Sequence, residues 1–164
     1  MLNVGEKAPN FNLPKADSTG TVQLSDLLGR GPAVLAFYKY NCPTCQLTFP
    51  FLQRLYSHLA PLSKTSLVGI AQDSPSEAAD FIARFKLSFD ILCDVKPYST
   101  SRAYQLVTVP TIYFVEQNGI IKKAFEAFDK KAVIELSSEL HAFESKGQFE
   151  VFRPTDQVPL LKPG

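Results

Sequence analysis

The sequence predicts an α/β domain in which a central mixed β-sheet is flanked by helices and preceded by a small N-terminal β-hairpin. Three observations carry this. Strand-like and helix-like segments alternate through the first two thirds of the chain. Two later strand-like runs meet at Asn118-Gly119, a strong hairpin signal. The 164 residues are enough for one domain with a hydrophobic core. Alternation implies parallel strands joined by right-handed crossovers, and the hairpin adds antiparallel ones, so the sheet must be mixed.

Taken in order, "NFNLPKADSTGTVQLSDLLGRG" reads as two short strands around an Asp17–Gly20 turn, then one helical turn from Ser25. Residues 33–40 are a continuous apolar and aromatic run, which suits a buried central strand. From Cys42 the period changes, and Leu47, Phe51, Leu52, Leu55 and Leu59 fall on one helical face. Pro50 lies inside that helix and should kink it. Residues 66–72 are the next strand. Ser74 then opens a helix as N-cap, with Pro75 at its first position and Glu77 closing a capping box. Its apolar face is Ala78, Phe81, Ile82 and Phe85. A strand-like run ending at Cys93 and a short helix near Ser101–Tyr104 precede the hairpin. Asp129 caps a last helix, with Val133, Leu136, Leu140 and Phe143 inward. The domain is expected over 1–148, and 149–164 is a Pro-containing tail laid over the surface.

The chain is 45% hydrophobic and 20% charged, a balance typical of globular proteins rather than disordered ones. Its 17 Lys and Arg nearly cancel 16 Asp and Glu, with no basic stripe, so nucleic acid is not an expected partner. No apolar run approaches the ~20 residues of a membrane span. The first twenty residues lack a basic stretch followed by an apolar one, so no signal peptide is read. The expectation is a cytoplasmic protein with no membrane partner, a monomer or weak homodimer. Three cysteines do not make a disulfide-stapled scaffold. They point to reactivity.

The chemistry concentrates in Cys42-Pro43-Thr44-Cys45, between the apolar strand and the helix. A helix starting at Cys42 aims unpaired N–H groups and its dipole at the sulfur, favouring thiolate. Cys45, one turn on, is within reach and more buried. Cys42 can attack a substrate disulfide to give a mixed disulfide, and Cys45 resolves it, leaving a redox-active Cys42–Cys45 disulfide. A zinc site would need four ligands, and only Cys93, His58 and His141 remain, at no ligand-like spacing. No metal and no cofactor are therefore expected. Cys93 ends an apolar run and reads as a buried free thiol, with a second redox role as the alternative.

Four stretches carry a resemblance spanning roughly residues 3–146: "VGEKAPNFNLP", "FYKYNCPTC", Pro50 in its helix, and "VTVPTIYFVEQNG". With these the sequence resembles the thioredoxin-like superfamily, in the redoxin group that joins thiol-disulfide oxidoreductases to the alkyl hydroperoxide reductase/thiol-specific antioxidant proteins. The resemblance implies a thioredoxin-like fold and a cis Val109–Pro110 bond opposite Cys42. It also implies a substrate groove formed by Pro43, Thr44, Val109 and Pro110. The partners it implies are a protein or small-molecule disulfide and an external thiol reductant.

The match departs from the family at several positions. The buried acid of thioredoxins falls on Ala36, their Trp residues on Tyr38 and Asn41, and the glutamate of cytochrome-maturation oxidoreductases on Thr48. Lys39, Tyr38 and Tyr40 are the substitutes at hand for a proton relay. The threonine and arginine that polarise peroxide in peroxiredoxins fall on Lys39 and Thr111, with Lys39 or Arg102 as stand-ins. A thiol-disulfide oxidoreductase is therefore the first reading. A peroxiredoxin-like peroxidase is the alternative, and a non-catalytic binding module the second.

Overall fold

The computed structural model describes residues 1–147 and 149–164. β1 (Asn12–Pro14) pairs antiparallel with β2 (Thr21–Gln23). The turn between them is closed locally, because the Asp17 carboxylate accepts from both the N–H and the hydroxyl of Thr19. α1 (Leu24–Arg30) is longer than the single turn expected, since Leu24 and Leu27 both find burial one helical turn apart. Gly31 follows at φ 144°, where an added Cβ would lie 2.0 Å from the Lys64 carbonyl oxygen. Only glycine fits there.

β3 (Ala33–Tyr38) runs through the middle of the sheet, buried at every position. α2 (Pro43–Leu59) returns the chain to β4 (Ser66–Ala71), which lies parallel to β3. α3 (Pro75–Phe85) leads to β5 (Ile91–Cys93), parallel to β4. α4 (Ser99–Ala103) precedes the hairpin of β6 (Thr111–Val115) and β7 (Ile121–Glu126), and β6 lies antiparallel to β3. The five-stranded order is β5-β4-β3-β6-β7. The sheet is mixed, as expected from alternation followed by a hairpin. β3 stops at Tyr38 rather than running to residue 40, because the chain turns there and the Cys42 N–H closes back onto the Lys39 carbonyl.

Side-chain alternation along β3 divides the core in two. Val34, Ala36 and Tyr38 pack with α2 and α5 (Lys130–Glu144), while Ala33, Leu35 and Phe37 pack with Tyr104, Tyr113 and the N-terminal segment. A strand buried on both faces needs no polar positions, which is why its sequence is a continuous apolar run. Of the helical face expected on α2, Leu47 is only half-buried. Phe49 is fully buried instead, its ring 4.5 Å from Tyr38 and 5.3 Å from Phe81. Pro50 stands inside α2.

The tail is more ordered than an extended surface strap. It holds a 3-10 turn at Pro154–Asp156 and β9 (Leu161–Lys162), which pairs antiparallel with β8 (Phe128–Asp129). The domain boundary expected at residue 148 lies outside the described residues. Among the described residues no helix is long and apolar enough to cross a membrane.

Candidate active site

Cys42 sits where β3 has ended and α2 begins, at the carboxyl end of the central strand. It is the N-cap of α2, and its sulfur accepts the Cys45 backbone N–H at 3.1 Å. Pro43 occupies the first helical position, where its missing N–H costs nothing. The Cys42 thiol, half-buried, is lowered to about 6. A hydrogen bond from the Cys45 side chain contributes most, and the backbone N–H groups of Cys45 and Thr44 and the charge of Lys162 add to it against the opposing effect of burial. Cys45 is the reverse case. It is fully buried, and burial pushes its thiol well above the ordinary range, with the bond to Cys42 and the charge of Asp73 acting the same way. Both cysteines are free thiols. One sulfur thus favours the thiolate, and the other is held protonated.

The loop before β6 closes the opposite side. Val109–Pro110 is cis, and the Val109 carbonyl accepts the Cys42 thiol at 3.4 Å. Cys42, Pro43, Gln72, Val109 and Gly164 line a cavity of about 320 Å³. Of the expected groove residues, Pro43 and Val109 face this cavity. Thr44 is buried under the tail, its hydroxyl donating to the Pro163 carbonyl at 2.6 Å, and Pro110 is buried beneath the loop.

Two charged residues of the site were not singled out from sequence. Asp73, just past β4, is 7% exposed and accepts the Tyr40 N–H at 2.7 Å. Burial raises its carboxyl, and its charge in turn acts on Cys45, Cys93 and Tyr38. In "AQDSPSE" it reads only as the lead-in to a capped helix. Its approach to Cys45 comes from the parallel pairing of β3 and β4, which no local pattern encodes. Lys162 comes from the far end of the chain, in a tail that composition alone would leave on the surface.

Ala36 lies in the core, and Tyr38 is buried with a hydroxyl that has no partner among the described residues. Thr48 donates to the Thr44 carbonyl, and Thr111 to the Thr108 carbonyl, so both hydroxyls are already engaged. Lys39 and Arg102 are exposed. Cys93 is buried in β5, its thiol raised first by burial and then by Asp73. His58 and His141 lie with ring centroids 5.2 Å apart beside Phe149, away from Cys93 in β5.

A family model described as the AhpC/TSA family matches residues 4–124. The thiol-disulfide oxidoreductase ResA of Oceanobacillus iheyensis is 32% identical over 127 residues, which is 75% of this chain and 65% of that protein. The chain thus spans just under two thirds of that relative's length. A Chlorobium tepidum protein assigned as the thiol:disulfide interchange protein DsbE superposes with a TM-score of 0.72 at 27% identity, covering 88% of this chain and 99% of its own. A disulfide oxidoreductase of Mycobacterium tuberculosis, described as secreted, superposes with a TM-score of 0.65 at 23% identity, covering 80% and 95%. These neighbours have the thioredoxin fold, and so does this chain. The cytoplasmic expectation does not stand, because the Mycobacterium tuberculosis neighbour is described as secreted. The reason is simple: a first twenty residues without leader features does not identify a compartment.

Proposed function

The chain belongs to the AhpC/TSA family, and from that premise we propose that it is a thiol-disulfide oxidoreductase working through Cys42 and Cys45. One observation carries the reading: a half-buried thiol lowered to about 6 stands directly in front of a fully buried thiol that is held protonated. The Cys42 thiolate attacks one sulfur of a substrate disulfide. A bond forms between Cys42 and that sulfur, and the other half of the substrate leaves as thiolate. Cys45 then loses its proton and attacks the Cys42 sulfur, expelling the second half. The protein ends with a Cys42–Cys45 disulfide, and two electrons have passed to the substrate, which takes up two protons as two thiols. An external thiol reductant reverses the change in the protein. The substrate is a protein or small-molecule disulfide that enters beside Val109 and Pro110. In this reading residues 1–148 are the catalytic unit, the tail from 149 is appended to it, and the molecule works as a monomer or weak homodimer.

The test is a trapping experiment. With Cys45→Ser, incubation with a disulfide substrate should leave a stable mixed disulfide on Cys42, found by mass spectrometry, and Cys42→Ser should abolish exchange. Adducts on Cys45 or Cys93 in the wild type would remove the assignment. Peroxide cleavage needs donors aimed at the departing oxygen, and losing one costs roughly 10²–10³ in rate on the usual scale. Lys39 is exposed and the Thr111 hydroxyl is already engaged. The protein should therefore reduce disulfides faster than it consumes hydrogen peroxide or an alkyl hydroperoxide with the same reductant.

A further inference from the structure

The segment 160–164 crosses the site just proposed from one wall to the other. Its approach is fixed by β9, whose register with β8 sets Asp129 opposite Leu161, and by the Lys130 N–H donating to the Leu160 carbonyl at 3.0 Å. Further back, the Arg54 guanidinium of α2 holds the Asp156 carboxylate through two bonds, at 2.7 and 3.1 Å. From that anchorage residues 163 and 164 touch both walls. The Pro163 carbonyl accepts the Thr44 hydroxyl, in the first turn of α2, at 2.6 Å. Gly164 packs on the cis-proline loop so closely that a Cβ there would lie 2.4 Å from the Val109 carbonyl oxygen and 2.6 Å from the Thr108 hydroxyl. That same Val109 carbonyl accepts the Cys42 thiol.

We infer that residues 163–164 are a specificity-determining strap, which restricts this groove to small disulfides and keeps polypeptide chains out while it is seated. The inference rests on the thiol-disulfide exchange proposed above and adds no step to it. A groove that carries a polypeptide must be open along its length, because the chain passes the reactive sulfur and continues on both sides. Here the protein's own chain already spans from α2 to the loop before β6. Gly164 holds the contact with Val109 that a passing strand would need, and it lies this close only because it has no Cβ. Thr44 is buried beneath the strap at 3% exposure, so the helix wall is covered too. What remains is the cavity of about 320 Å³ between Cys42, Pro43, Gln72, Val107, Val109 and Gly164. At a water's share of about 30 Å³, that is space for roughly ten non-hydrogen atoms. A small disulfide fits such a space, and a loop of another protein does not. The cavity meets solvent beside Val107, which is 82% exposed, so a small molecule has a way in.

The experiment is a single-turnover comparison on the reduced full chain, with hydroxyethyl disulfide as the small substrate and insulin as the polypeptide one. Formation of the Cys42–Cys45 disulfide is stopped by acid, and the remaining thiols are alkylated and counted by mass spectrometry. Wild type should be oxidised faster by hydroxyethyl disulfide than by insulin. The diagnostic is the insulin rate divided by the hydroxyethyl disulfide rate, because a change in the Cys42 thiol itself moves both together. Gly164→Val forces the strap off the loop and should raise this quotient. Thr44→Val removes one bond that seats the strap and should raise it about two- to tenfold, the fold-change equivalent of one hydrogen bond. Arg54→Met loosens the tail at a distance from the cysteines and should move it in the same direction. A wild type oxidised by neither substrate would sink the exchange reading itself. Oxidation by hydroxyethyl disulfide with a quotient unchanged or lowered in either Gly164→Val or Thr44→Val leaves exchange standing and overturns the strap. Insulin outpacing hydroxyethyl disulfide in the wild type overturns it as well.

Discussion

At Cys42 a thiol that would ordinarily ionise near 9 does so at about 6, and three residues away the same chemical group is pushed in the opposite direction. The difference is one of surroundings: donors converge on the first sulfur, while the second is surrounded by packed side chains and faces a buried carboxylate. Alkylation of Cys42 by limiting iodoacetamide should therefore rise with a midpoint near pH 6, read by mass spectrometry, with Cys45 and Cys93 unlabelled. The linkage has a sign. A lowered pKa stabilises the folded dithiol fully above the unfolded value of 9.0, and this is lost as pH falls through about 6. Cys45, raised, contributes below its unfolded value and loses that contribution as pH climbs past it. Melting of the reduced protein should thus gain from Cys42 between pH 6 and 9, and Cys42→Ser should remove that gain. Asp73 is raised by burial, so its contribution is present at acid pH and is lost as pH rises through its folded value. Asp73→Asn should then melt higher than wild type at pH 7. With its charge gone, Cys45 should also deprotonate more readily and clear mixed disulfides from Cys42 faster. Slower clearance would make this carboxylate the proton acceptor instead.

At the scale of elements, α2 does two jobs with two of its faces. Its first turn presents Cys42, while Cys45, Phe49, Leu52, Leu55 and Leu59 anchor it against the sheet with no exposure. An anchored helix holds its N-terminal N–H groups in place, so the packing and the low thiol pKa are coupled. Leu55→Ala should cost about 2–5 kcal/mol in urea unfolding, the range for emptying a buried leucine site. α3 supplies the contrast. Ser74 accepts the Glu77 N–H while the Glu77 carboxylate accepts from Ser74, a complete capping box on the exposed surface. Ser74→Ala should cost about 1 kcal/mol and leave the alkylation midpoint of Cys42 unchanged. Both elements were legible because each satisfies a local rule: a 3.6-residue apolar stripe in one, a cap and N1 proline in the other. Phe49 was missed on α2 because its partners Tyr38 and Phe81 come from other elements.

For the molecule as a whole, the tail decides how the site is enclosed, and it is moored far from the cysteines. Arg54 on α2 makes a bidentate pair with Asp156, at 2.7 and 3.1 Å, and donates to the Val151 carbonyl at 2.8 Å. Phe152 packs between Phe51 and Phe128, 4.5 and 5.9 Å away. The Arg54 guanidinium holds Asp156 at about 2, so this mooring contributes above the carboxyl's unfolded value and is lost as pH falls through about 2. Arg54→Met should raise the rate of limited proteolysis within 149–164 at neutral pH. Wild type should show an increase in cleavage between pH 4 and 2 with an acid-active protease, and Arg54→Met should abolish it. Glu144 ties the other end of α5 to the sheet: burial works against its charge, but the hydroxyls of Ser63 and Thr65 and the N–H groups of Ser63 and Lys64 outweigh it and lower its carboxyl.

Sequence alone determined the order of strands and helices up to α5, the mixed sheet, the cysteine pair at a helix start, and most of the inward faces of α2, α3 and α5. Each of these depends on neighbours within one or two turns, or on a buried strand's demand for apolar side chains on both faces. Tertiary structure alone decided what surrounds the sulfurs. Asp73 reaches Cys45 only because β4 lies in register beside β3, Ala71 opposite Tyr38, with Asp73 two residues on. Lys162 reaches Cys42 only because β9 folds back onto β8, 120 positions further along the chain. Charge acts through space and not along sequence, so the residues that tune the two thiols were invisible until the chain had closed around them.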